Sequence, residues 1–309
     1  MLPAGFLQTN HLCSIYFAPR GRDRLYALGM QIAQQYLSPF DKLIGIIGEA
    51  GSGKSVLVKA MFPGLELTND DNGVNIRPLP ILDQEMHRRG FYSPHTYHVD
   101  IRFELAFTQP FELADAILSA VRNGKRVVVE HFELIAPFLM GVNAQLLIGI
   151  GEEILVFRPN IFGPYPEEIA RIVHNSLQYR KMAHSAEDLS EFFMPPEIMR
   201  LCKHDDVRHG FVLVFEKEKP ELDLDELEKK VLKAIDDRLE INFADETHIS
   251  IGGRLHACTG PRIHVPTAGD IRNFRLEKEF VYNNLTDQYL LIGHVGEPVD
   301  SNQILSGLL

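Results

Sequence analysis

The sequence predicts an α/β fold, a doubly wound parallel sheet, with a smaller C-terminal α+β domain after it. Apolar, β-branched runs alternate with segments of helical periodicity, which is typical of parallel sheets. The first such run, residues 43–47, leads through a glycine-rich turn into a helical segment. The character of the chain changes near Val207, so we expect domains over residues 1–205 and 206–309.

The glycine-rich turn matches the spacing G-x-x-x-x-G-K-[ST] between a strand and a helix, which indicates a P-loop NTPase-type fold. Gly48, Gly51 and Gly53 allow left-handed backbone angles that turn N–H groups toward phosphate oxygens, next to the positive end of a helix. We predict that Lys54 contacts the β- and γ-phosphates of ATP and that the Ser55 hydroxyl binds Mg²⁺. The predicted nucleotide-binding residues are Gly48, Glu49, Ala50, Gly51, Ser52, Gly53, Lys54, Ser55 and Val56.

Composition restricts the class of protein. The chain has 309 residues and a net charge of −11, which argues against a broad nucleic-acid-coating surface but leaves room for a local basic groove. The three cysteines are few, odd in number and far apart, so a disulfide framework is not expected. No apolar run approaches 18 residues, so we expect no membrane span and a cytoplasmic protein.

Two segments before residue 100 carry candidate chemistry. Residues 74–83 could form a second strand ending in Asp83. Ligands collect at the carboxyl ends of parallel strands, so Asp83 is a candidate catalytic acid, although it could equally cap a following helix. Residues 87–98 combine three histidines, two arginines and three aromatic residues, which suits either a substrate-gripping loop or an ordinary surface loop.

Further along, a helix is predicted over Phe111–Val121 and a buried strand over residues 126–133 that ends in acids. Glu130 is the first candidate for holding Mg²⁺, and Glu133 is the second. Two more apolar runs, residues 144–150 and 154–157, add strands to the predicted parallel sheet. Residues 167–193 then place cations on a helix and the turn after it, which could be a solvated face or a lid over transferring phosphates.

Residues 40–195 resemble the uridine-kinase and phosphoribulokinase group of phosphate-loop kinases. Arg171-Ile172-Val173, Tyr179-Arg180 and Ser185-Ala186-Glu187-Asp188-Leu189 are similar to that group's lid, and the helix Phe111–Val121 is similar to its segment after the substrate loop. The resemblance implies phosphoryl transfer from ATP to a nucleoside-like or other small hydroxylated acceptor. Arg171 and Arg180 would be the lid cations, and Asp83 would stand where the group has its acid.

Residues 249–271 are similar to the closing motif of the second additional, editing, domain of alanyl- and threonyl-tRNA synthetases. Cys258 and His264 match that family's zinc ligands, which implies zinc and a tRNA partner; a buried cysteine and a capped histidine are the alternative. The segment most similar to the family's upstream histidine pair is residues 184–188, which we assign to the kinase-like lid.

Three functional hypotheses follow. The first is an ATP- and Mg²⁺-dependent kinase in which Lys54, Asp83, Glu130, Arg171 and Arg180 act on the substrates. The second is an aminoacyl-tRNA-editing hydrolase regulated by nucleotide. The third is a nucleotide-switched binding protein without turnover. The acidic net charge counts against the tRNA hypothesis, because tRNA affinity depends largely on neutralising phosphates.

Overall fold

The computed structural model describes residues 13–67, 79, 81–82 and 95–298. The chain divides into two compact units: unit 1 comprises residues 1–18 and 22–175, and unit 2 comprises residues 19–21 and 176–309. The boundary at 175/176 lies 30 residues before the one expected at 205/206. A short N-terminal segment, Pro19–Gly21, belongs with the C-terminal unit.

Unit 1 contains a six-stranded sheet. Its strands are β1 (Cys13–Phe17), β2 (Leu43–Gly48), β3 (Thr96–Asp100), β4 (Arg126–Glu130), β5 (Leu146–Ile150) and β6 (Glu153–Phe157). They lie in the order β1-β6-β5-β2-β4-β3, and β2, β3, β4 and β5 run parallel. The prediction of an α/β fold is therefore confirmed.

The sheet departs from the predicted all-parallel arrangement at one side. β6 pairs antiparallel with β5, and β1 pairs antiparallel with β6. Only Gly151 and Glu152 separate β5 from β6. A parallel crossover needs a dozen or more residues, whereas a two-residue turn makes a hairpin. An apolar run is equally compatible with a parallel and an antiparallel strand, so the length of the connecting loop determines the orientation of β6.

Helices cover both faces of this sheet. They are α1 (Arg22–Tyr36), α2 (Lys54–Met61), α3 (Ile101–Glu104), α4 (Pro110–Arg122), α5 (Phe132–Ile135) and the start of α6 (Pro166–Phe193), with a 3₁₀ turn at Ala136–Phe138. Side chains alternate along a strand. Ile44 and Ile46 therefore share a core with α1 and α2, whereas Gly45 lies against Phe132 of α5.

Helix α6 is a single 28-residue helix that begins in unit 1 and ends in unit 2. The turn predicted within residues 167–193 is not present. Arg171 is exposed in unit 1, whereas Arg180 is 2% exposed in unit 2. At a rise of about 1.5 Å per residue, they are roughly 13 Å apart along the axis, so they do not share a turn.

Unit 2 holds the remaining elements around a second core. They are α7 (Pro196–Met199), β7 (Lys203–Val207), β8 (Gly210–Glu216), α8 (Leu224–Asp236), β9 (Ile241–Asp245), β10 (His248–Ile251), β11 (Arg254–Ala257), a 3₁₀ turn at Ala268–Asp270, β12 (Arg275–Leu276), β13 (Val281–Asn283) and β14 (Gln288–His294). β12, β14, β8 and β7 form one antiparallel sheet, with β13 also pairing with β14; β11, β10 and β9 form another. Asp223 caps α8, because its side chain accepts a hydrogen bond from the Glu226 N–H.

Several predicted features lie outside the described residues. They include Asp83, most of the strand predicted before it, and residues 87–94 of the histidine-rich segment. Within the described part of the chain, no helix has the combined length and apolar character needed to cross a membrane.

Candidate functional site

The glycine-rich loop joins the end of β2 at Gly48 to the start of α2 at Lys54. Gly51 and Gly53 have φ angles of +79° and +99°, in the left-handed region that favours glycine. The loop thus adopts the strand–turn–helix geometry that the motif predicts. The first N–H groups of α2 have no acceptor within the helix, as at any helix start.

Replacing Gly53 by alanine is expected to destabilise the protein by about 2–4 kcal/mol. A left-handed alanine costs about 1–2 kcal/mol, and an added Cβ would overlap Cδ2 of buried Leu25. Gly124→Ala is the matched control, because Gly124 also has a positive φ but an added Cβ there meets no atom within 4 Å. Urea denaturation of both variants measures the difference, and equal losses would contradict a steric role for Leu25.

Glu130 lies beside this loop because β4 is the neighbour of β2. Ile46 of β2 pairs with Glu130, the last residue of β4. The Ser55 hydroxyl is 3.3 Å from Glu130 Oε1, and Lys54 Nζ is 4.0 Å from Glu130 Oε2. Lys54 Nζ also donates to the Glu49 carbonyl oxygen at 3.0 Å. Residues 75 positions apart thus form the acid–hydroxyl–amine group expected around a phosphate-bound cation.

His98 is a further member of this group; the sequence pattern indicates a loop over residues 87–98, whereas His98 lies on strand β3. It is 3% exposed on β3, and its Nε2 lies 3.1 Å from Glu130 Oε1. Burial alone would raise the pKa of Glu130, but the hydrogen bond and charge of His98 and the charge of Lys54 bring it below its usual value. Glu130 is therefore held ionised, as a magnesium-binding carboxylate must be.

Other polar groups surround the loop. Asp100, at the end of β3, pairs in register with Glu130 and accepts a hydrogen bond from the Phe103 N–H at 3.2 Å. Glu49 lies 3.4 Å from Arg102 and 3.8 Å from His174 of α6. Arg171 is one helical turn before His174. By contrast, Glu133 Oε1 lies 3.5 Å from His131, and no contact with Ser55 or Lys54 is recorded among the described residues.

A shallow pocket of about 350 Å³ lies at the other end of the strands, where β2, β3 and β4 begin. Lys42, His95 and Arg126 are among its lining residues. Among the described residues, none of those predicted to bind nucleotide or to act in catalysis lines this pocket.

A second cluster of ionisable side chains lies inside unit 2. Three carboxyl groups on α6, those of Glu187, Asp188 and Glu191, surround the guanidinium of Arg20, which contacts Glu187 and Asp188 and is 3.8 Å from Glu191. All four residues are less than 9% exposed. Burial opposes the charge on Arg20, but Glu187 and Glu191 more than offset it and raise the arginine pKa.

Cys258 and His264, the predicted zinc ligands, lie together in this cluster. Their Sγ and Nε2 atoms are 3.9 Å apart, and His264 Nε2 is 2.6 Å from Asp188 Oδ2. One donor atom each from Asp188, Cys258 and His264 lies within 4.8 Å of the others. Carboxylate, thiolate and imidazole donors suit zinc, and three protein ligands are what an open zinc site uses. The donor set therefore fits the ion, with Asp188 as the ligand that the sequence did not identify.

The histidines of this cluster are held neutral, the form that binds metals. Burial lowers the pKa of His264 to about 3 and that of His184 well below its usual value. The Nδ1 atom of His184 is buried without a hydrogen-bond partner within the described residues. Burial raises the pKa of the Cys258 thiol, so a bound cation would be needed to hold the thiolate.

The assignment of residues 184–188 to the kinase-like lid is not supported by their position. They lie in unit 2, where Asp188 contacts His264. The spacing of His184 and Asp188 places both on one side of a helix, and this signal could have identified Asp188. No comparable signal marks Arg20, which is separated from Asp188 by 168 residues.

Comparisons with known proteins do not assign the chain to a family. No family model and no curated protein matches it. Among solved structures, it is similar to the ornithine aminotransferase from Toxoplasma gondii ME49, with 10% identity over 84% of this chain and 70% of that one, at a TM-score of 0.23. A similarity at that level carries no argument about function, so function must be inferred from the two groups of residues described above.

Proposed function

We propose that the chain binds ATP and Mg²⁺ through a P-loop and transfers a phosphoryl group to a nucleoside-like or other small hydroxylated acceptor. The observation that carries this proposal is the contact of Ser55 and Lys54 with Glu130 at the carboxyl ends of β2 and β4. The motif spacing alone would also fit an accidental glycine-rich turn. An acid from a different strand, placed on the hydroxyl and amine of the motif, would not be expected by chance.

Each residue has a defined part in this proposal. The amides of residues 48–56 and the Lys54 ammonium would bind the phosphates, and Ser55 and Glu130 would hold Mg²⁺, which neutralises charge on the transferring group. His98 would orient Glu130. Asp100 and Asp83 are the candidates for the general base that removes the proton from the substrate hydroxyl. Arg171, on α6, would approach the transferring phosphoryl group.

A second candidate function is a zinc-dependent hydrolase of mischarged aminoacyl-tRNA. It is favoured by the Asp188, Cys258 and His264 donor set. Zinc bound by these residues would act as a Lewis acid. A cytoplasmic location is part of both proposals, and the three free cysteines are compatible with a reducing compartment.

The decisive assay measures ADP release from Mg²⁺–ATP in the presence of nucleosides and sugars. We expect release that depends on one acceptor class, and a loss of about 100-fold or more in Glu130→Gln. Glu112→Gln, which changes an exposed glutamate on α4, is the control and should retain the wild-type rate. Hydrolysis of mischarged tRNA without acceptor-dependent ADP release would favour the hydrolase, and tight nucleotide binding with neither activity would favour a binding protein.

A further inference from the structure

The two oxygens of the Asp188 carboxylate face different sets of donor atoms. Oδ2 is 2.6 Å from His264 Nε2, on the side of Cys258. Oδ1 is 3.9 Å from His256 Nε2, which in turn lies 3.8 Å from Glu191 Oε2. Donor atoms of Asp188, Glu191 and His256 all lie within 4.8 Å of one another. With metal–ligand bonds of about 2.0–2.1 Å, a tetrahedral site separates its ligands by roughly 3.3 Å, so this second set is close to the required geometry.

His256 supplies an independent sign that a ligand belongs here. It is 8% exposed on β11, and its Nε2 has no hydrogen-bond partner within the described residues. The edge of its ring contacts Phe192, with centroids 5.9 Å apart. A buried ring nitrogen without a partner is costly, and such atoms normally hydrogen bond or bind an ion.

The excess of acidic over basic groups in this cluster also favours a bound cation. Glu187, Asp188 and Glu191 carry three carboxyl groups, and Arg20 provides one guanidinium among them. Ionised together with the Cys258 thiolate of the first position, they would leave a surplus of three negative charges in a buried space, which is more than one divalent cation would neutralise. A neighbouring set, Glu187, Glu191 and His204, also has the residue types of a metal site, but the His204 side chain is 28% exposed and does not offer a buried ring nitrogen without a partner among the described residues, as His256 does.

We propose that Asp188, Glu191 and His256 form a second divalent-cation position, which Asp188 bridges to the position formed with Cys258 and His264. The imidazole donor selects a zinc-like transition ion over Ca²⁺ or Mg²⁺. Arg20 contacts both Asp188 and Glu187. The Asp188 contact is between Arg20 Nη2 and Oδ1, so an ion at Oδ1 would displace it, whereas the ion pair of Arg20 Nη1 with Glu187 would remain. The proposal is independent of the phosphotransferase function, which concerns unit 1.

The test is the stoichiometry and spectrum of the full-length chain after chelation and reloading with Zn²⁺ or Co²⁺. We expect two ions per chain by elemental analysis. His256→Ala and Glu191→Gln should each hold one ion and keep the near-ultraviolet thiolate-to-Co²⁺ absorption of Cys258. Cys258→Ser should lose that absorption and retain one ion. His248→Ala, at a more exposed position on β10, is the control and should retain two.

If the wild-type chain binds only one ion, or none, the proposal is overturned. This holds even if one of the variants abolishes the binding of that single ion. Two ions in both His256→Ala and Glu191→Gln would also overturn it, because the ions would then lie elsewhere. Circular dichroism of each variant separates loss of an ion from loss of folding, and Glu191→Gln preserves side-chain shape where His256→Ala does not.

Discussion

Lys54→Ala is expected to weaken the binding of a Mg²⁺–ATP analogue by about 10- to 100-fold. Lys54 is 6% exposed, and its ammonium lies between the glycine-rich loop and Glu130, where it would meet the β- and γ-phosphates. A charged hydrogen bond contributes about 1.5–3 kcal/mol, which corresponds to this range of affinity. Isothermal titration calorimetry with a non-hydrolysable analogue measures the change.

Lys59→Ala is the matched control, because it removes the same charge from the same helix, α2. It should bind the analogue with wild-type affinity. The Lys54 variant also leaves Glu130 without its lysine, so its folding should be checked by thermal denaturation before the affinities are compared. An unchanged dissociation constant in a folded Lys54→Ala protein would remove the basis of the proposed function.

Arg20→Met is expected to lower the free energy of unfolding by about 3–5 kcal/mol at pH 8. Methionine keeps an apolar stem of similar length but removes the cation from among Glu187, Asp188 and Glu191. Breaking a buried ion pair from one side leaves uncompensated charge, which accounts for the size of the loss. Arg275→Met is the control, because its ion pair with Glu277 is solvent-exposed and should contribute less than about 1 kcal/mol.

The loss in Arg20→Met should shrink as the pH falls from 8 to 5. In the wild type, the charge of Arg20 offsets burial and holds the pKa of Glu187 below its usual 4.5. The ionised group therefore stabilises the fold at all pH values above 4.5, and this contribution is lost only below that value. Without Arg20, burial raises the pKa above 4.5, so folding favours the protonated group and the variant regains stability as pH falls.

Urea denaturation of wild type and variant at pH 8, 6.5 and 5 measures this trend. His184, His256 and His264 do not cancel in this difference, because the charge of Arg20 adds to burial in lowering their pKa values. Without Arg20 they accept protons more readily in the folded variant, so they add to the same trend. A loss below 1 kcal/mol, or one that does not change between pH 8 and pH 5, would show that Arg20 is not the counter-ion of these carboxylates.

The sequence was most informative where a pattern is local. The spacing from Gly48 to Ser55 predicts the strand, turn and helix that the structure contains. The apolar run before Glu130 predicts a strand that ends in an acid, and the sheet order then places that acid beside Ser55. Both inferences succeed because a run of consecutive residues determines them.

The sequence was less informative where segments distant in the chain come into contact, and where one apolar pattern fits both parallel and antiparallel strands. The residues of β6 read alike as parallel or antiparallel, and only the length of the preceding turn distinguishes them. The sequence context of Asp188 resembles a lid and does not indicate its contacts, which are with His264 and Arg20. No periodicity encodes a contact between residues 20 and 188.

The position of Arg20 also has a consequence for how the chain is made. Arg20 leaves the ribosome before its partners, because Asp188 follows 168 residues later and Cys258 follows after 238. Contacts this distant in sequence close slowly, and the early segment must wait while the intervening residues fold. The interior of unit 2 is therefore completed only after Asp188 and Cys258 have been made, by a segment that was translated before most of unit 1.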